Sequence, residues 1–260
     1  IKEIFKNQVI CPKKYELNVS NINQVMKYNN ITHIIHCAAE TDHEYCEENS
    51  SQAYYINTIG TAHLMRLAKS LNIPIIYLAA GSIFDGKKET PYKVNDTPNP
   101  LNHYNMSKYY GELILKSYPK HYIIRCGWMF GGGADVDKKF VNKIMNKIRL
   151  GEKNIKVCDD CVGSPIYTKD LAECIKQIID LKHAYGTYHI VNDGSATRYE
   201  FAVQIVKNLI KKVKIIPCKI DDLKEEFPCK RTNYEVLESS LTLRHWKKAL
   251  KEYIDACYRY

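Results

Sequence analysis

Two stretches of the chain carry apolar residues without alternation. Ile73-Pro74-Ile75-Ile76-Tyr77-Leu78-Ala79-Ala80 is one. Its length suits a strand buried on both faces, as in a parallel sheet, and Gly81-Ser82-Ile83-Phe84-Asp85-Gly86 closes it. Ile31-Thr32-His33-Ile34-Ile35-His36-Cys37-Ala38-Ala39 is the other. Further strands are expected at Gln8-Val9-Ile10, His121-Tyr122-Ile123-Ile124-Arg125, Asn154-Ile155-Lys156-Val157-Cys158 and Thr187-Tyr188-His189-Ile190-Val191. Helical periodicity fills the intervals. Asn57-Thr58-Ile59-Gly60-Thr61 lies inside one long helical pattern, and Tyr104 opens another. Tyr199 to Lys211 sets Phe201, Ile205 and Leu209 on one stripe. Thr168 is the expected N-cap of a helix with Asp170 and Glu173 near its start. A last helix is expected from Leu243 to about Cys257. Strands alternating with helices predict an α/β protein with a doubly wound parallel sheet and a smaller α/β unit. The larger unit is expected at residues 1–130 and 162–186, the smaller at 131–161 and 187–260.

The chemistry concentrates where the second of these helices begins. Tyr104-Asn105-Met106-Ser107-Lys108 places a phenol and an ammonium four residues apart, on one helix face. A neighbouring cation favours the phenolate, so a Tyr104 pKa lowered towards working pH is expected. Such a phenol can give a proton to a carbonyl oxygen or take one from an alcohol. The spacing is common by chance and also fits a solvated helix face.

The order of the motifs sharpens this. A strand ends in Ala38-Ala39, then come Asn57-Thr58-Ile59-Gly60-Thr61, a strand with a hydroxyl near its end, and Tyr104-x-x-x-Lys108. The sequence resembles the extended short-chain dehydrogenase/reductase family, and within it dTDP-4-dehydrorhamnose reductases and related nucleotide-sugar reductases. Ala38-Ala39-Glu40-Thr41-Asp42, Ile83-Phe84-Asp85-Gly86, Arg125-Cys126-Gly127-Trp128-Met129-Phe130-Gly131, Gly163-Ser164-Pro165 and Lys230-Arg231-Thr232-Asn233 support the likeness. The resemblance implies a Rossmann-like dinucleotide-binding unit with the substrate unit beside it. It implies NADP or NAD as cofactor and reduction of the C4 ketone of a nucleotide-linked 4-keto-6-deoxy sugar, in deoxysugar or polysaccharide precursor synthesis. It assigns Tyr104, Lys108 and Ser82 to catalysis. Asn18, Val19, Ala38, Ala39 and Thr41, with Tyr104 and Lys108, go to the cofactor. Ala80, Gly81, Ser82, Trp128 and Arg231 go to the substrate. The residues themselves leave plainer alternatives open: core packing for the alanines and Trp128, a surface role for Arg231.

Two departures from the family pattern matter. The glycine-rich phosphate turn of a dinucleotide fold would precede Ile1, and Ile1-Lys2-Glu3-Ile4-Phe5 reads as half of an amphipathic helix. The expectation is a sequence that starts partway into the fold; loss of the phosphate cradle is the alternative. Ala80 stands where the family has Ser or Thr to polarise the substrate carbonyl. An extended strand would point Ser82 to the same side, roughly 6–7 Å along. Either Ser82 replaces the missing hydroxyl, or the chain is a weak or silent dinucleotide-binding subunit resembling the regulatory β subunit of methionine adenosyltransferase. An epimerase or dehydratase of the same superfamily is disfavoured, because Gly81-Ser82-Ile83 lacks the acids a 4,6-dehydratase carries there.

Composition adds bounds. The net charge of +9 is diffuse, and no basic block with interleaved aromatics stands out, so a nucleotide diphosphate suits it and nucleic acid is not expected. No apolar run reaches membrane-span length. Ten cysteines without a framework imply reduced thiols and a cytoplasmic location. Cys158-Asp159-Asp160-Cys161 lacks a second ligand pair and reads as a surface turn, so no metal is expected. A homodimer is left open.

Overall fold

The computed structural model describes residues 1–209, 212–225 and 227–258. Helix α1 (Lys2–Phe5) and a 3-10 turn (Lys6–Gln8) open the chain, followed by α2 (Ile22–Val25) and strand β1 (Ile34–His36). Helices α3 (His43–Glu48) and α4 (Ser50–Tyr54) lead through a π-helical turn (Tyr55–Ile59) into α5 (Gly60–Leu71). Strand β2 (Ile75–Ala80), helix α6 (His103–Leu115), and strands β3 (His121–Cys126) and β4 (Trp128–Phe130) follow. Then come α7 (Phe140–Arg149), β5 (Asn154–Cys158), β6 (Val162–Gly163), β7 (Pro165–Tyr167), α8 (Thr168–Asp180), β8 (Gly186–Ile190) and β9 (Ala196–Thr197). Helix α9 (Arg198–Leu209), strands β10 (Lys214–Cys218) and β11 (Tyr234–Glu235), and helix α10 (Trp246–Cys257) complete the order.

The larger sheet is parallel throughout, in the order β1-β2-β3-β8. Its apolar strands are covered on both faces, which is why they read as unbroken runs. Ile75, Tyr77 and Ala79 point to one face, against Leu64, Leu67 and Ala68 of α5 and Leu115 of α6. Ile76, Tyr122 and Ile124 point to the other, against Leu171, Ile175 and Ile178 of α8. A second core in the smaller unit joins Phe130, Val141, Ile155, Phe201, Leu250 and Tyr253 from β4, α7, β5, α9 and α10. Around it β5 pairs with β10, and a three-stranded sheet runs β11-β6-β9.

Several sequence expectations are corrected. Gln8-Val9-Ile10 is not a strand: Gln8 ends the 3-10 turn and Ile10 is exposed. A strand exists only as one side of a ladder, and no described strand runs beside these residues. The strand expected over residues 31–39 is confined to Ile34–His36, the span hydrogen-bonded to β2. Strand β8 pairs with β3, so residues 187–190 lie in the larger sheet and not in the smaller unit. Tyr167, not Thr168, occupies the cap position of α8, and no side chain caps that end. Asp170 binds Arg244 through both carboxylate oxygens, at 2.7 and 2.9 Å. The last helix starts at Trp246, where the His245 ring accepts the Lys247 N–H at 3.2 Å. Cys158 and Cys161 are buried, and only Asp159 and Asp160 of their turn reach the surface.

Candidate functional site

Helix α6 is aimed by its first residues. Asn102 caps it, its Oδ1 accepting the Asn105 N–H at 2.9 Å, while its amide donates to the Lys230 carbonyl at 2.9 Å. That side chain therefore ties the helix start to the segment carrying Arg231. Further along, Gly111 brings α6 against the π-helical turn; a Cβ there would stand 2.8 Å from the Tyr77 hydroxyl and 3.0 Å from the Asn57 carbonyl. Asn57 is fully buried on that turn. Its amide donates to the Ser107 hydroxyl at 2.9 Å and the Glu40 carbonyl at 3.0 Å, and its Oδ1 accepts the Glu40 N–H at 2.8 Å. The loop leaving β1 is thus fixed to the helix that carries Tyr104 and Lys108.

Lys108 is 3% exposed. Its ammonium donates to the Leu78 carbonyl at 2.8 Å and lies 4.1 Å from the centre of the Tyr77 ring. No carboxylate forms an ion pair with it among the described residues. Burial without a counter-ion disfavours the charged form and brings its pKa down to about 8. Tyr104 stacks on His43, ring centres 4.4 Å apart, and packs against the cluster of Ala80, Ile83, Phe84 and Leu237. Cys126, at the end of β3, lies within electrostatic reach of both Tyr104 and Lys108.

The expected fall in the Tyr104 pKa is not found. Burial pushes its phenol up, and nearby thiols and Glu235 push the same way. The Lys108 charge is spent on a backbone carbonyl and an aromatic face. Tyr104 therefore holds its proton at neutral pH. His43, half-buried beside Arg231 and Lys139, is held down to about 3 by desolvation and those two cations and is a neutral ring there.

Ser82 is also placed differently from expectation. Strand β2 stops at Ala80, and Gly81–Ile83 turns as a 3-10 segment, so strand alternation does not extend to Ser82. Its hydroxyl donates to Asn105 Oδ1 at 2.6 Å, next to Tyr104 in the helix. Ala80 contributes only a buried methyl.

Of the residues assigned to a cofactor, Ala38 and Ala39 follow the end of β1. Ala38 is exposed and Ala39 half-buried, beyond the end of β1, so core packing does not account for them. Small side chains at that point leave the backbone open to a flat ligand. Thr41 accepts from the Lys139 ammonium at 3.1 Å. Asn18 is exposed but its Oδ1 accepts the Ser20 N–H at 3.0 Å. Val19 is a core residue against α5, where its Cγ2 lies 2.7 Å from where a Cβ on Gly60 would sit. A buried cation without an ion pair, near exposed backbone, suits a ligand with hydroxyls and negative charge, and Ala38, Ala39 and Thr41 fit a dinucleotide.

Trp128 lies in the core of the smaller unit. It is 7% exposed and its indole N–H donates to Glu235 Oε1 at 2.6 Å. Arg198 lies 3.5 Å from the ring centre on its face. The small sheet assembles this group: Glu235 on β11 pairs in register with Gly163 on β6, β9 pairs with β6, and Arg198 follows β9. Gly163 is required because a Cβ would come 2.4 Å from the indole. Burial raises the Glu235 carboxyl, with Arg198 pulling the other way. Arg231 pairs with Glu44 at 2.6 Å and stacks on Phe227 at 4.9 Å. Sequence reasoning missed His43, Lys139, Arg198 and Glu235. His43 directly follows the Ala38–Asp42 motif and Glu235 lies two residues past Asn233, but nothing near Arg198 in the chain distinguishes it.

The RmlD substrate binding domain family matches residues 4–259. The chain belongs to that family. It is 31% identical over 229 residues to the spore coat polysaccharide biosynthesis protein SpsK of Bacillus subtilis, covering 85% of this chain and 78% of SpsK. The crystal structure of a dTDP-4-dehydrorhamnose reductase from Clostridium acetobutylicum superposes with a TM-score of 0.90 at 35% identity, covering 98% of this chain and 93% of that one. The Bacillus anthracis dTDP-4-dehydrorhamnose reductase, solved in complex with NADP, gives a TM-score of 0.87 at 29% identity, covering 94% and 89%. The larger unit thus has the Rossmann-like arrangement of these reductases.

Proposed function

We propose that this chain reduces the C4 ketone of a nucleotide-linked 4-keto-6-deoxy sugar with NADPH or NADH. The bound dinucleotide supplies the hydride. Tyr104 gives its proton to the oxygen that becomes the hydroxyl. A phenol whose pKa is raised by burial holds that proton at neutral pH, and an alkoxide, being far more basic than a phenolate, takes it readily. Lys108 supplies a cation for the ribose hydroxyls and for the phenolate left behind. Asn18, Val19, Ala38, Ala39 and Thr41 border the dinucleotide. Ser82, braced by Asn105, stands in for the hydroxyl that Ala80 lacks. Trp128, Ala80 and Gly81 border the sugar. Arg198, Arg231 and Lys139 give that side a positive field suited to a diphosphate. Ten free thiols support a cytoplasmic protein. No helix is long and apolar enough to cross a membrane.

The observation carrying this reading is a proton-holding Tyr104 one helical turn from a buried Lys108 with no carboxylate partner, in a chain of this family. Purified protein given a dTDP-4-keto-6-deoxy sugar and NADPH should consume NADPH, read as loss of its absorbance, and Tyr104→Phe should stop it. Ala80 is the specific observation for the second reading, a silent regulatory subunit. A wild type that binds both ligands and oxidises no NADPH would favour that reading and end the first.

A further inference from the structure

The smaller unit carries a group of metal-ligating side chains that the reductase reading does not use. Cys158 ends β5 and Cys161 precedes β6, so the turn between the strands brings the two thiols together. The Sγ atoms of Cys158 and Cys161 and a carboxylate oxygen of Asp160 all lie within 4.8 Å of one another. Both cysteines are buried, at 6% and 7% exposure. Asp160 is oriented by the Ile220 N–H, which donates to its Oδ1 at 2.9 Å. Asp159 is turned away from the group, held by the Lys219 ammonium at 2.9 Å.

We propose that Cys158, Cys161 and Asp160 bind one thiophilic divalent ion, with Zn²⁺ as the natural occupant. Two thiolates select for such ions over Mg²⁺ and Ca²⁺, which require oxygen ligands. Three protein donors are the number found in open zinc sites, where water takes the fourth position. Binding displaces the two thiol protons to solvent. Two thiolates and a carboxylate around a divalent ion leave one net negative charge. The Arg198 guanidinium, within electrostatic reach of both sulfurs, offsets it. The Cys161 carbonyl accepts the Arg198 N–H at 3.1 Å. An ion here would therefore clamp the turn whose Cys161 carbonyl anchors the backbone of Arg198, the residue on the face of Trp128. Cys218, opposite Cys158 in the β5–β10 register, is the neighbouring thiol on the adjacent strand.

The test uses the full chain, reduced and stripped of metal, with Co²⁺ as a spectroscopic probe and Zn²⁺ as competitor. Wild type should show a thiolate-to-cobalt charge-transfer band saturating at one ion per chain. Zn²⁺ should abolish the band and raise the melting temperature. Cys158→Ser and Cys161→Ser should each lose the band. Asp160→Asn, a near-isosteric change at a half-buried carboxylate, should fold and bind at least tenfold more weakly. Cys11→Ser, at an exposed thiol elsewhere, should keep it. No band in the wild type, a band surviving the Cys158→Ser/Cys161→Ser double change, or unaltered affinity in Asp160→Asn would overturn the proposal. So would recovery of the pair as a disulfide that resists reduction. None of these readouts involves ketone reduction, so failure here leaves the reductase reading standing.

Discussion

Two cations are buried in the larger unit, and their surroundings differ completely. Arg125, on β3, is 1% exposed. Its Nη2 and Nε contact Glu112 at 2.9 and 3.1 Å, and its Nη1 donates to the Val94 carbonyl at 3.1 Å. Lys108, one turn before Glu112 on α6, is 3% exposed and has a carbonyl and a ring in place of a carboxylate. Arg125 is satisfied on every side that chemistry allows, which makes it a structural clasp between β3 and α6. Lys108 has no ion pair, and the Glu112 carboxylate one turn away offsets only part of its burial cost. A fold retains such a group where a ligand completes it, and perturbed buried groups mark functional sites for that reason.

Glu112→Gln should break the clasp and cost about 3–5 kcal/mol, because a guanidinium is left buried without its counter-charge. Urea unfolding measures this. The double change Arg125→Met/Glu112→Leu should recover most of the loss. A single-variant cost below about 1 kcal/mol would abolish the distinction between the two cations.

Lys108→Met should lower kcat/KM for ketone reduction by about 10²–10³-fold without lowering stability. Loss of stability comparable to that of Glu112→Gln would make Lys108 a structural residue as well.

Stability should also depend on pH through Lys108. The folded pKa of Lys108, about 8, lies below the ordinary 10.5. Below pH 8 both folded and unfolded states carry the charge, and the folded state bears the full burial cost. Between pH 8 and 10.5 the unfolded state binds more protons, so stability rises with pH. The gain approaches about 3 kcal/mol at most. Denaturant midpoints should show a rise over that window in wild type that is absent from Lys108→Met. The comparison fails if the two variants run parallel.

The smallest effect is expected at Asn102, whose cap holds the helix bearing both Lys108 and Glu112. Asn102→Ala should cost about 1 kcal/mol and disturb both environments together. An effect on activity with unchanged stability would separate the Lys230 tether from the cap.

Much of this architecture was legible because it depends on local repetition. The unbroken apolar run of β2 predicted two-sided burial, and that strand is central in the sheet, whereas the other run holds only the short edge strand β1. The Tyr104–Lys108 spacing predicted one helix face. Expectation failed where a property is set by distant neighbours. Gln8-Val9-Ile10 has strand composition and no strand to pair with. Ser82 was expected to follow the alternation of β2, but the chain turns at Gly81 and the hydroxyl meets Asn105. Tyr104 was expected to be acidified by Lys108, yet desolvation outweighs a cation already engaged elsewhere.

The sequence by itself determined the alternation of strands and helices, the spacing of phenol and ammonium, and the resemblance that named the family. These follow from periodicity and from residue types in order. Only the tertiary structure decided which charges are paired and which remain open. It also brought Arg198, Glu235 and Trp128 together from three separate segments, and closed Cys158, Asp160 and Cys161 into a single donor group. Dielectric environment and convergence are properties of the packed chain, because burial removes the water that would otherwise solvate each group separately.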